Sequence, residues 1–314
     1  MKTQSKTKIK TLHSRNLHNS NYDFDALIIS EPKLKEYVGE NKYGNISIDF
    51  ANPKAVLTLN KALLSHFYSI KYWELPTDYL APPIPGRADY IHHIADLLAD
   101  SNNGIIPKGD DIKGLDIGVG ANCIYPIIGS VSYGWQFLAT DIDKVSIQSV
   151  ENIVNNNNIL TGKITTKLQP NKNNIFVDII QKDDKFDFTI SNPPFHRSAK
   201  EATSSNKRKV ENLTKTKVTK AVLNFAGQAN ELWCDGGEIA FLKKMINQSV
   251  RFRTNCLWFT TLVSKKENLE TIYKFLKSVA AVEYKTIEMK QGQKISRIVA
   301  WTFLTKQEQK NWRK

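Results

Sequence analysis

Two glycines and two carboxylates stand in this sequence where they could hold a nucleoside. The run DIGVGA, which begins at Asp116 and contains Gly118 and Gly120, follows a short apolar stretch. Asp141 ends the next apolar stretch about 20 residues on, where an acid commonly bonds ribose hydroxyls. Cys123 takes the place of the third glycine of the dinucleotide fingerprint, which disfavours NAD. We therefore expect a cofactor with a ribose but no pyrophosphate, most simply S-adenosylmethionine; a glycine turn without a ligand is the alternative.

A second motif, Ser191-Asn192-Pro193-Pro194-Phe195, resembles the Asn-Pro-Pro-Phe signature of methyltransferases that act on exocyclic amines of nucleobases. An adenine amine is a poor nucleophile because its lone pair is delocalised into the ring. The carbonyl of Asn192 and the backbone carbonyl of Pro193 can accept its N–H bonds, which strengthen as the amine pyramidalises. Pro193 and Pro194 fix the backbone, and Phe195 offers a face on which an extracted base can stack. These four residues are the predicted catalytic set, and a plain Pro-Pro turn is the alternative.

The charge of the chain favours a polyanionic partner. Lysine and arginine total 44 against 31 acidic residues, a formal net charge of +13. A polar, strongly basic stretch over 197–220 follows the second motif directly, so we expect a mobile loop there. Its residues Arg197, Lys207, Arg208 and Lys209 are predicted to contact RNA. A solvated loop, and a charge that merely aids solubility, are the alternatives.

Neither a metal site nor a membrane span is predicted. The three cysteines, Cys123, Cys234 and Cys256, are widely spaced and form no Cys-x-x-Cys pair, which is typical of reduced cysteines in a cytoplasmic protein. His92 and His93 are adjacent and would point in different directions on a helix, so they make a poor metal pair. No run of 18 or more apolar residues appears.

The two motifs must be positioned by strands and helices that alternate along the chain. Strands are predicted at 114–118, 136–140, 164–168, 186–191, 238–242, 257–263, 282–289 and 298–304. Helices are predicted after Pro53, after a Pro-rich loop over 80–86, and at 144–156 and 268–279. Strands that alternate with helices favour an α/β fold whose largely parallel sheet has helices on both faces.

The chain divides into four predicted parts. Residues 1–21 are expected to form a flexible basic tail, and residues 22–110 a helical segment packed on the core. The α/β domain is expected to span 111–306, with the mobile loop at 197–220 inside it, and 307–314 to form a C-terminal tail.

Nearly the whole chain resembles the ribosomal RNA large subunit methyltransferase F family of bacteria, which modifies adenine N6 in 23S rRNA. A more distant likeness is to the eukaryotic enzyme that modifies U6 small nuclear RNA. The resemblance implies a Rossmann-like class I S-adenosylmethionine-dependent methyltransferase fold with a mostly parallel seven-stranded sheet. It rests on the two motifs and on further segments: IDFANPKAVLTLNKALL from Ile48, PPIPGRADYIHHIADLL from Pro82, DIGVGANCIYPIIG from Asp116, NELWCDGGEIAF from Asn230, WFTTLVSKKENL from Trp258 and QGQKISRIVAWTFL from Gln291.

The resemblance also implies roles for single residues. Arg87 matches the arginine that meets the methionine end of the cofactor, which suits a carboxylate because guanidinium binds it through two bonds. Gly118 matches a backbone contact, Asp141 the ribose contact and Asn192 the catalytic amide. Asn174 falls where the family touches the adenine ring. Together with Asp116 and Gly120 of the first motif, these residues form the predicted cofactor-binding set.

The predicted activity is therefore methylation of adenine N6 in 23S rRNA, either free or in a large-subunit assembly intermediate, by a chain that acts as a monomer. Two alternatives stay open. One is a DNA adenine-N6 methyltransferase, which shares the Asn-Pro-Pro-aromatic logic. The other is a non-catalytic RNA-binding assembly factor on the same fold, which predicts damage to the cofactor motif, although that motif is intact.

Overall fold

The N-terminal part of the protein is mainly helical, as expected. The structure, a computed structural model, describes residues 12–194, 198, 201, 233–291 and 294–313. A small hairpin that the sequence did not predict joins the first two helices. In chain order the elements are α1 (Phe24–Ser30), β1 (Val38–Glu40), β2 (Ile46–Ile48), α2 (Pro53–Tyr68) and α3 (Ile84–Ser101).

The starts of α2 and α3 follow from local chemistry. Asn52 caps α2, its side-chain oxygen accepting the N–H of Lys54 at 3.0 Å, and Pro53 takes the first helical position. The predicted loop over 80–86 is too long, because α3 begins at Ile84. Proline is tolerated in a first turn, whose N–H groups lack helical partners anyway. The arginine predicted to lie before a helix, Arg87, is therefore in the first turn of α3.

A seven-stranded sheet follows, in which five neighbouring strands are parallel and the sixth runs antiparallel to the strands on both of its sides. The predicted α/β class and mostly parallel sheet are confirmed. The strand order is β5-β4-β3-β6-β7-β9-β8, the arrangement of the Rossmann-like class I methyltransferase fold. The strands are β3 (Lys113–Ile117), β4 (Gln136–Asp141), β5 (Ile164–Leu168), β6 (Phe186–Ser191), β7 (Cys256–Val263), β8 (Glu283–Gln291) and β9 (Lys294–Thr302).

Further helices connect these strands: α4 (Ile124–Tyr133), α5 (Lys144–Asn155), α6 (Gly237–Ser249) and α7 (Asn268–Ser278). The short helix α8 (Lys306–Lys310) follows the last strand. The strand predicted at 238–242 is wrong, because this segment is the first part of α6. The segment contains too few apolar residues for their spacing to distinguish a strand from a helix. Leu242, Met245 and Ile246 are buried, and their spacing is that of one helical face.

Two apolar layers cover the two faces of the sheet. Trp258 and Phe259 are consecutive on β7 and enter opposite layers, as strand alternation requires. The layer around Trp258 includes apolar residues of α2, α3 and α4, and the layer around Phe259 includes those of α6 and α7. Within the described residues, no helix combines the length and apolar character that a bilayer span requires.

The predicted flexible tail is wrong from Leu12 onward, because residues 12–20 are packed against α3. Asn16 is buried, and its side-chain amide donates to Asp89 at 2.8 Å and to the carbonyl of Pro85 at 2.9 Å. Arg15 donates to Asp96 at 2.6 Å. The polar composition of this segment predicted disorder. The segment is ordered because its polar side chains form hydrogen bonds with groups of α3.

The predicted C-terminal tail is also ordered where it is described. Trp312 and Arg313 follow α8 and donate to the carboxylate of Asp187, which is nearly fully buried at the start of β6. The same carboxylate accepts the backbone N–H of Lys113, at the start of β3, at 2.7 Å. Burial raises the pKa of Asp187, and the charge of Arg313 opposes that shift. The C-terminal residues thus join the amino ends of two central strands.

Replacing Arg313 by alanine should lower the free energy of unfolding by about 1–2 kcal/mol. The change removes a charged hydrogen bond from a buried carboxylate, while partial exposure of the arginine limits the loss. Denaturant unfolding measures it, with Lys310→Ala on α8 as the control for lost positive charge. Equal unfolding curves for the two variants would show that the contact with Asp187 contributes nothing to stability.

Candidate active site

A single cleft of about 1760 Å³ opens at the carboxyl ends of β3, β4 and β6. Strand order reverses there, since β4 lies on one side of β3 and β6 on the other. Most of the predicted site residues line this cleft: Arg87, Gly118, Gly120, Asp141, Asn174, Asn192, Pro193 and Pro194. Phe195, Arg197, Lys207, Arg208 and Lys209 lie outside the described residues, as does nearly all of the predicted loop over 197–220.

The glycine turn after β3 is tied to the neighbouring strand. The N–H groups of Gly118 and Val119 both donate to the carbonyl of Thr140, each at 2.9 Å. Gly118 has a φ of 73° and Gly120 a φ of 64°, the left-handed region that glycine enters without strain. A Cβ added at Gly118 would meet no atom within 4 Å, so the backbone there faces open space. A ligand can therefore approach the main chain closely.

Asp141 ends β4 with its carboxylate fixed across the turn. One oxygen accepts the N–H of Gly120 and the other the N–H of Asp143, both at 2.9 Å. Burial raises the pKa of Asp141, while these two backbone bonds favour the charged form. Each carboxylate oxygen keeps a further lone pair, which is what a pair of ribose hydroxyls needs.

Asp116 occupies a different place from the one predicted. It does not line the cleft but lies nearly fully buried on β3, and both carboxyl oxygens lack a hydrogen-bond partner among the described residues. Burial, followed by the nearby charge of Asp141, raises its pKa well above the usual range, and the charge of Arg87 acts in the opposite direction. Asp116 is therefore a buried group of β3 rather than part of the surface of the cleft.

Arg87 projects from the first turn of α3, where helical N–H groups are unpaired and the helix dipole is positive. Its guanidinium donates to the hydroxyl of Tyr125 at 2.8 Å and lies 5.4 Å from the centre of that ring. Burial raises the pKa of Tyr125 to about 12, so this hydroxyl stays protonated at neutral pH. A helix start and a held guanidinium together suit a carboxylate. Sequence reasoning missed Tyr125, which carries no signal beyond being a tyrosine on α4.

Asn192 follows β6 directly. The preceding residue, Ser191, is buried, and its hydroxyl donates to the carbonyl of Ile117 at 3.2 Å, which fixes β6 against β3. The side-chain oxygen of Asn192 is buried without a hydrogen-bond partner in the described part of the chain. A buried acceptor left unpaired costs about 1–3 kcal/mol, which a donor from a bound molecule would recover. The indole N–H of Trp233, on the same cleft, is unpaired too.

Asn174 also lines the cleft. Its amide donates to the carboxylate of Asp178 at 2.8 Å, and Asp178 adopts a φ of 70°. A residue that the sequence reasoning overlooked lies nearby: Asp143 caps α5 and accepts the hydroxyl of Tyr79 at 2.5 Å. Its position immediately before a predicted helix was the available signal. Asp143 itself lines the cleft.

Comparisons with known proteins agree with this geometry. The profile of an RNA methyltransferase family matches residues 6–305. A ribosomal RNA large subunit methyltransferase F of Photobacterium profundum is 54% identical over 99% of this chain and 97% of its own length. The one from Flavobacterium psychrophilum is 58% identical over 96% of each chain.

Solved structures show the same likeness. The hMettl16 catalytic domain in complex with MAT2A 3′UTR hairpin 6 has a TM-score of 0.78 at 30% identity, covering 94% of this chain and 98% of that one. The N-terminal domain of human METTL16 in complex with SAH has a TM-score of 0.73 at 27% identity, covering 94% and 100%. On the profile match and on relatives of more than half identity, this chain belongs to the RNA methyltransferase family.

Proposed function

We propose that this protein transfers a methyl group from S-adenosylmethionine to the N6 amine of an adenine in 23S ribosomal RNA, acting as a monomer. One observation carries the proposal: the unpaired oxygen of Asn192 lies in the same cleft as the Gly118 turn and Asp141. A hydrogen-bond acceptor for an amine thus lies in the same cleft as the residues that can bind a nucleoside. The relatives named large subunit methyltransferase F supply the choice of ribosomal RNA.

The residues that line the cleft suit each part of S-adenosylmethionine. Asp141 would bind the ribose hydroxyls, Arg87 would bind the carboxylate, and the open backbone at Gly118 admits the molecule closely. Asn174 is proposed to border the adenine ring of the cofactor. When bound, the cofactor supplies an electrophilic methyl group on a sulfonium.

The acceptor side of the reaction depends on Asn192. Its side-chain oxygen and the carbonyl of Pro193 accept the two N–H bonds of the amine, which draws electron density back onto nitrogen. That nitrogen forms the new N–C bond as the methyl–sulfur bond breaks, and one amine proton then passes to solvent. These bonds gain most of their strength in the transition state, so Asn192 is proposed to act on the rate. Phe195 is proposed to stack on the flipped base.

A methyl-transfer assay with radiolabelled cofactor tests the proposal. Unmodified 23S rRNA, an unrelated structured RNA and duplex DNA serve as parallel substrates, and digestion to nucleosides identifies the product. N6-methyladenosine at one site of 23S rRNA is the expected result. Labelling of duplex DNA alone, or of no nucleic acid at all, would overturn the proposed function.

Asn192→Ala should reduce single-turnover methylation by at least about 100-fold while cofactor affinity stays within a few-fold. The reason is that the lost bonds belong mainly to the transition state. Rapid-quench kinetics and calorimetry measure the two quantities, with Asn155→Ala, an exposed asparagine on α5, as the control. Near-normal turnover would rule out the proposed role of this amide.

Asp141→Ala should weaken cofactor binding roughly ten- to a hundredfold, because hydrogen bonds from ribose hydroxyls to a carboxylate contribute about 1.5–3 kcal/mol. Calorimetric titration gives the affinity directly. Asp111→Ala removes an exposed carboxylate outside the cleft and serves as the control. Titrations of both variants that overlay the parent curve would contradict the ribose contact.

Replacing Lys207, Arg208 and Lys209 together by alanine should weaken RNA binding and reduce its salt dependence. Each lost phosphate contact lowers the slope against log salt by about 0.7 on single strands. Filter binding at several salt concentrations measures both effects, and cofactor titration is the control because the cofactor residues are elsewhere in the sequence. An unchanged slope would assign the RNA contact to other basic residues.

A further inference from the structure

The backbone pairing between β6 and β7 stops before the active site. The two strands pair from Phe186 with Cys256 to Phe188 with Trp258, and no pair is formed beyond them. On the other side, β6 remains paired with β3 as far as Ser191. The last residues of β6, which lead directly to Asn192, therefore depend on something other than the strand ladder on their β7 side.

Side-chain hydroxyls fill that gap. The N–H of Thr260, on β7, donates to the hydroxyl oxygen of Thr189 at 3.0 Å, and the hydroxyl of Thr260 donates to the carbonyl of Thr189 at 2.6 Å. The hydroxyl oxygens of Tyr90 and Thr260 lie 2.8 Å apart. A threonine hydroxyl has one proton, and Thr260 gives it to Thr189. Tyr90 must therefore be the donor to Thr260.

Tyr90 and Thr260 are both completely buried, so no water competes for these bonds. The bonds thus run from Tyr90 to Thr260 and from Thr260 to Thr189. They connect α3, through β7, to the last residues of β6.

Tyr90 also contacts the cofactor side of the cleft. It lies on α3, less than one helical turn after Arg87, and its ring packs edge-on against that of Tyr125 with centroids 5.4 Å apart. Tyr125 in turn accepts the hydrogen bond from Arg87. The ring of Tyr90 therefore supports the residues proposed to bind the methyl donor, while its hydroxyl supports the strand that presents Asn192.

We propose that the buried hydroxyl of Tyr90, acting through Thr260, is a positioning group that holds the end of β6 so that Asn192 meets the target amine in the geometry required for methyl transfer. The proposal rests on the proposed function of the cleft, but it assigns a residue outside both sequence motifs. Tyr90 does not touch the reacting atoms, so its effect must appear in the rate rather than in cofactor binding.

Tyr90→Phe separates the hydroxyl from the ring. With labelled cofactor and 23S rRNA, kcat is expected to fall about 10- to 100-fold, because displacements below 1 Å of a group at the reacting centre have effects of this size. The KM for RNA and the Kd for cofactor should stay within about threefold. The matched control is Tyr133→Phe, which removes another buried hydroxyl, one bonded to His92 at 2.7 Å. It should leave kcat unchanged.

Variants of Thr260 test the route. Thr260→Val, which keeps the shape but removes the hydroxyl, should reproduce the loss in kcat, and Thr260→Ser should restore most of it. The double variant with Tyr90→Phe should be no slower than the slower single variant, since both act through one chain of bonds. If the loss in kcat of the double variant equalled the product of the two single losses, the two residues would act independently, which would contradict a shared route. A merely structural role predicts lower melting temperatures with no difference between valine and serine in kcat.

Hydrogen exchange of the free protein keeps this test independent of the substrate. The amide of Thr260, which donates to the hydroxyl of Thr189, should exchange faster in Tyr90→Phe than in the parent or in Tyr133→Phe. If the parent methylates none of the substrates while this amide loses protection in Tyr90→Phe, the proposed function fails and the anchoring by Tyr90 stands. Unchanged protection of Thr260, or a kcat within twofold of the parent, would overturn the proposal for Tyr90.

Discussion

The reversal of strand order beside β3 is the constraint on which the site depends. Because β4 and β6 leave β3 in opposite directions across the sheet, the loops that follow these strands diverge and open a crevice. The Gly118 turn, Asp141 and Asn192 come from three different strands and meet only there. β8 and β9 lie far from this point in the strand order, yet Met289 of β8 and Ser296 of β9 still line the cleft.

Much of this arrangement could be predicted because it follows from short apolar runs and motifs in the sequence. β5 and β6 have the bounds expected from their apolar runs, and the two motifs lie where strand ends were expected. The segment that became α6 was misjudged, since a short apolar run fits either period. The burial of Asp116 away from the cleft could not be predicted, because a motif gives the order of residues but not the direction of a side chain on a strand. The contacts of Tyr90 and Tyr125 could not be predicted either, because their partners lie far away in the sequence.

Two unpaired polar groups border the cleft: within the described residues, the side-chain oxygen of Asn192 and the indole N–H of Trp233 have no hydrogen-bond partner. Elsewhere, buried polar side chains such as Asp187 and Asp89 have partners. Asn19 and His92, outside the cleft, each keep one unpaired atom in that part of the chain as well. An unpaired buried group reduces stability, and one that borders a cleft can be satisfied by a bound molecule.

The segment over residues 12–20 has a consequence for how the molecule forms. Its bonds reach partners such as Pro85, 69 positions later in the chain, and Tyr133, 118 positions later. Contacts of that separation close large loops, so they form slowly and only after α3 and α4 exist. Leu12 of this segment borders the cleft. Residues 12–20 can consequently make these contacts only once α3 and α4 have been synthesised, and the part of the cleft that Leu12 borders is complete only then.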